Sequence, residues 1–73
     1  MELYEDSLTW AERLVREHEG LVGRQRSLIK DLDRDRLFEE ADAARTALKA
    51  SLNRLEFLRQ HLRREQRWHA LQA

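Results

Sequence analysis

Two sevenfold apolar stripes run along this chain out of phase with each other, and no single helix can bury both. From Leu8 onward apolar residues, with one alanine, fall at Leu8, Ala11, Leu14, Val15, Leu21, Val22, Leu28, Ile29 and Leu32, the three- and four-residue spacing of one helical face. A second series runs Leu37, Phe38, Ala41, Ala44, Leu48, Leu52, Leu55, Leu58 and Leu62. At 3.5 residues per turn its centre lies about 200° from that of the first. A break therefore falls between Leu32 and Leu37, in the polar interval Asp33, Arg34, Asp35 and Arg36, where Asp33 or Asp35 is placed to cap the next helix. Neither glycine nor proline marks the stop.

The expected architecture is all-α. The chain reads as one domain over residues 1–73, with helix 1 at about 7–33, a turn at about 34–36 and helix 2 at about 37–69. The first helix opens either on a Thr9/Glu12 capping box or with Asp6 or Ser7 as N-cap. So short a connection makes the helices antiparallel neighbours. Folding about Asp35 pairs Leu32 with Phe38, Val22 with Leu48, Val15 with Leu55 and Leu8 with Leu62. It also brings acidic Glu2, Glu5 and Asp6 beside basic Arg63, Arg64 and Arg67.

A lone hairpin of 73 residues has little core, and chains below about 70 to 80 residues usually need a staple. Cysteine is absent, so disulfides and thiolate metal sites are excluded. Association with a second copy, giving a coiled-coil-like four-helix bundle, is the expected staple. Fourteen basic and fourteen acidic residues cancel, which argues against nucleic acid or an anionic membrane as a partner of the whole chain. No apolar run matches a signal sequence or a membrane span, so the expected compartment is the cytoplasm.

Two surfaces stand out as candidate partner or dimer interfaces. In helix 1 the row Leu14, Leu21 and Leu28 widens the stripe beyond a two-row seam. In helix 2 the far side carries Ala43, Ala47, Ala50 and Phe57, where small residues admit another backbone, although alanine is also the best helix former on a solvated face. His18 and Gln25 interrupt the middle row of helix 1 near Leu52 and Arg45. They read either as a polar layer that sets register or as stripe-edge side chains reaching water. Gly20 and Gly23 each cost the helix about 1 kcal/mol relative to alanine, which points either to close packing at those positions or to a locally weaker helix.

Little in the chain resembles a reactive site. His61, Glu65 and His69 share one helical face at i, i+4 spacing, yet no second cluster answers them and the paired Glu-x-x-His motifs of bundle metal sites are missing. Neither a phosphate loop, a nucleophile elbow nor a catalytic carboxylate pair occurs, and two thin helices enclose no substrate pocket. Hence no catalytic residue, cofactor, metal or small-molecule substrate is expected. The basic C-terminal end, with Arg59, Arg63, Arg64, Arg67 and Trp68, offers the alternative of a nucleic-acid accessory protein, through phosphate contacts and base stacking. Cations also suit a helix C-terminus on their own account.

The stretch E-H-E-G-L-V-G-R-Q-R-S-L-I-K-D-L at residues 17–32, with A-R-T-A-L at 44–48 and H-L-R-R-E at 61–65, resembles a group of short bacterial proteins to which no function is assigned. Their core reads R-Q-x-x-[IL]-I-x-x-L, a turn, then A-R-x-L-L, which corresponds here to Arg24, Gln25, Leu28, Ile29, Leu32, Ala44, Arg45 and Leu48. The group's turn glycine is replaced by Arg36 or a neighbour, and the gap is slightly longer. The resemblance implies a helical hairpin and carries over no chemistry. The sequence thus reads as a non-enzymatic interaction module, structural or regulatory, that binds itself and has surface left to hold another protein.

Overall fold

A computed structural model describes residues 6–72. Two helices, α1 (Ser7–Arg34) and α2 (Phe38–Gln72), pack along each other. Cross-helix contacts run in opposite order along the two, Trp10 to His61, Glu19 to Arg59 and Asp33 to Arg45, so the pair is an antiparallel hairpin. α2 extends three residues beyond the expected end at 69. Its 35 residues span about 52 Å at 1.5 Å each. The molecule measures 53 × 28 × 13 Å, and among the described residues the two helices form a single layer.

α1 opens at Asp6, whose carboxylate accepts a 2.7 Å hydrogen bond from the Thr9 amide. Thr9 is therefore the third helical residue, and the Thr9/Glu12 capping box is replaced by Asp6, the other reading of the same turn. The acceptance of that amide, together with a weaker electrostatic contribution from His69, holds the Asp6 carboxyl below its ordinary value. Glu2 and Glu5 lie outside the described residues, so their expected placement beside the C-terminal arginines does too.

The turn is a Schellman motif. The Leu37 amide donates to the Leu32 carbonyl at 2.9 Å and the Arg36 amide to the Asp33 carbonyl at 3.1 Å, which satisfies carbonyls that a helix end otherwise leaves unpaired. The motif demands one left-handed residue, and Arg36 supplies it with φ 61°. Glycine is the usual occupant because a Cβ is strained there. A helix thus stops without the customary sequence signal. Asp33 and Asp35 do not cap α2, contrary to expectation. Asp33 accepts from Arg45 across the hairpin, and the α2 start is set by the Ala41 amide donating to the Leu37 carbonyl, with Glu39 and Glu40 in the first turn complementing the dipole.

The seam between the helices is narrow. Val15, Val22 and Leu55 form its centre, with Leu48, Leu52, Leu58 and Leu62 packed against them, and Ala11 and Ala41 are buried toward either end. The pairings of Val15 with Leu55 and Val22 with Leu48 lie in this cluster. Phe38 does not join Leu32 in the interior and stays 59% exposed, because the turn ends later and α2 begins with Phe38 facing outward. Ala41, one turn on, is the first buried residue of α2.

Candidate interaction surfaces

Helical periodicity and the cross-helix contacts divide the hairpin into two unlike sides. On one, Arg59 donates to Glu19 at 3.0 Å, and Arg45 bridges Asp33 of α1 and Asp42 of its own helix. These acids follow Val15 and Ile29 by four residues and the arginines follow Ala41 and Leu55 by four, which places both sets just beyond the seam on the same side. Hydrogen bonding to Asp33 is the main reason the Arg45 guanidinium holds its proton more tightly than usual. Near the turn this ion-paired side bears an open groove of about 470 Å³ lined by Arg26, Ile29, Lys30, Arg45 and Leu48.

The other side is apolar and open. Leu14, Leu21 and Leu28 each precede a seam residue by one, a rotation of about 100° away from the ion pairs. Across from them Ala44, Ser51 and Leu58 follow Ala41, Leu48 and Leu55 by three. Leu14, Leu21, Ala44, Ser51 and Leu58 are only half-buried, while Leu28 is 50% and Leu37 45% exposed. The Trp10 and His61 rings meet edge to face over this side with centroids 6.3 Å apart.

Ala43, Ala50 and Phe57 sit elsewhere. Each follows a seam residue of α2 by two, about 200° around the helix, so they occupy its outer surface, where Phe57 is 64% exposed. Ala47 is exposed at the edge shared with the open side. The structure therefore does not unite the two groups of candidate interface residues, and one flat partner cannot cover both.

His18 and Gln25 are half-buried within the α1 stripe. The Gln25 side-chain oxygen is buried and accepts no hydrogen bond among the described residues. The sequence places Arg45 near it, but that guanidinium is committed to Asp33 and Asp42. An unsatisfied buried carbonyl costs about 1–3 kcal/mol, so the Gln25 oxygen is a polar atom short of a donor on a side chain that is itself only half-buried.

At the C-terminal end Arg59 and Arg63 are engaged with Glu19 and Glu56. Arg64, Arg67 and Trp68 are exposed. His61 Nε2 lies 3.9 Å from Glu65 Oε1, and no group of three metal-ligating side chains converges among the described residues. Among those residues no helix is long and apolar enough to cross a membrane. Set against protein-family models, curated proteins and solved structures, the chain matches none.

Proposed function

We propose that this chain is a non-enzymatic protein-interaction module that acts as a homodimeric helical hairpin, its open side buried in a four-helix bundle and its remaining surface available to a further protein. The observation that carries the reading is the one-sided exposure of the Leu14, Leu21, Leu28 and Leu58 rows on a molecule 13 Å deep. Among the described residues there is no third element to shield such a face, and contiguous apolar surface of this kind marks an interaction site. The chain exposes 5980 Å², whereas a compact monomer of 8.8 kDa exposes about 4,800 Å². The excess is ample for one side of a standard interface, about 800 Å² per partner.

Sedimentation equilibrium at micromolar concentration tests it. The expected mass is twice 8.8 kDa, unchanged between low and high salt because the buried contacts are apolar. A folded monomer would remove the homodimer. Retention on DNA that weakens steeply with salt would support Arg64, Arg67 and Trp68 as a nucleic-acid surface instead.

A further inference from the structure

Leu21 and Ser51 stand fifteen residues before and after Arg36, so the hairpin sets them at the same height on its open side. Around that height the open side repeats itself in reverse. On α1, Leu14 and Leu28 lie seven residues to either side of Leu21, and on α2, Ala44 and Leu58 lie seven to either side of Ser51. Along the outer edge of α1, Glu17 lies four residues before Leu21 and Arg24 three after it. Toward the middle of the stripe His18 and Gln25 are disposed three before and four after.

From this arrangement we infer that the second copy docks open side to open side with its turn at the opposite end, related by a two-fold axis running across the hairpin from Leu21 to Ser51. This rests on the homodimer proposed above and specifies its geometry. Each α1 then lies antiparallel on the other α1. Leu21 meets its own counterpart, Leu14 meets the partner's Leu28, and small Ala44 meets the partner's Leu58, the large-against-small alternation that fills a bundle interior. Each contact occurs twice except those on the axis, as an isologous interface requires.

The charges along the rim favour this docking. Glu17 and Arg24 carry opposite charges at equivalent heights, so each Glu17 faces the partner's Arg24 at the rim. The alternative two-fold, along the helices with both turns at one end, would lay α1 on the partner's α2. It too would pair Glu17 with an arginine, the partner's Arg54, but it would set Asp31 level with the partner's Glu40, acid against acid, a clash the reversed docking avoids.

Because the chain has no cysteine, single-thiol variants report the geometry directly in the full chain. Under mild oxidation Leu21→Cys is expected to cross-link to a covalent dimer at least tenfold faster than Leu14→Cys or Leu28→Cys alone. In those two variants the identical thiols are separated by fourteen residues of helix, about 21 Å, far beyond the roughly 7 Å limit for bridging α-carbons. An equimolar mixture of Leu14→Cys and Leu28→Cys is expected to cross-link as fast as Leu21→Cys. A second arm reads the rim. Glu17→Arg should raise the dimer dissociation constant at least tenfold, and Arg24→Glu added to the same chain should restore it, with far-UV circular dichroism confirming that each variant is folded. Failure of Leu21→Cys to cross-link preferentially while the parent chain sediments as a dimer would overturn this docking and leave the homodimer intact. Rescue of Glu17→Arg by Arg54→Glu would assign the other two-fold. A monomeric parent chain would overturn both readings at once.

Discussion

The two sides of this hairpin are built from the same helices, yet one is closed by its own side chains and the other is not. On the ion-paired side Glu19–Arg59 and Asp33–Arg45 span the seam, and long arginine stems cover apolar surface while their heads stay in water. On the open side the rows Leu14, Leu21, Leu28 and Ala44, Ser51, Leu58 are too short to reach across, and only near one end do the Trp10 and His61 rings span it. A polar rim can be completed within a single layer because water finishes the job. An apolar rim can be completed only by another surface, which is why the open side carries the functional reading.

The largest effect is expected at the seam that both sides share. Leu55 is 3% exposed, and Leu55→Ala should destabilise the fold by about 2–4 kcal/mol in urea melts. A loss well under 1 kcal/mol would show that the seam is not where stability resides. Next, Leu21→Asp on the open side should raise the dimer dissociation constant by at least a hundredfold in sedimentation velocity. Arg26→Asp, on the ion-paired side, should leave it within about twofold, since it sits outside the proposed contact. Equal effects from both would erase the distinction between the sides.

Smaller changes sharpen the picture. Arg36→Gly should stabilise the hairpin by about 0.5–1 kcal/mol by relieving the left-handed backbone of the turn. A Cβ at Gly23 meets nothing within 4 Å, so Gly23→Ala should add a similar amount in thermal melts. The close-packing explanation of that glycine within the hairpin falls away. Breaking Glu19–Arg59 by Glu19→Gln should cost less than about 1 kcal/mol, since both side chains are half in water.

The smallest effect is a pH dependence at the start of α1. Hydrogen bonding lowers the Asp6 carboxyl below 3.8. A lowered folded-state value means that the cap's contribution is fully present above 3.8 and is lost as pH falls through the folded value. Asp6→Asn keeps an acceptor but should abolish that acid transition, observable as fraying of the first turn by amide chemical shifts.

Much of the hairpin was legible in the chain because helical periodicity is a property of neighbouring residues. The phase difference between the Leu8–Leu32 and Leu37–Leu62 stripes determined two helices and the interval in which they separate. The end of α1 was harder to locate, since the usual marker is glycine and Arg36 takes the left-handed conformation without it. Asp33 looked like a cap in sequence and became a cross-helix acceptor, a choice made by Arg45 twelve residues away. Phe38 matched the stripe but rotated outward with the first turn of α2.

The candidate surface divides the same way. Leu14, Leu21, Leu28 and the far row of Ala43, Ala50 and Phe57 were each visible as spacings, as were His18 and Gln25 as breaks in a stripe. Which of them share a side depends on how far each helix is turned against the other. That rotation is decided by packing at Val15, Val22 and Leu55, and by the ion pairs beside them. By itself, then, the sequence determined the helices, their break and their antiparallel pairing, all of which follow from local spacing and a short connection. Only the tertiary structure decided that the apolar rows lie open on one side, the charges close the other and Gln25 is left without a donor, because those are relations between helices rather than within them.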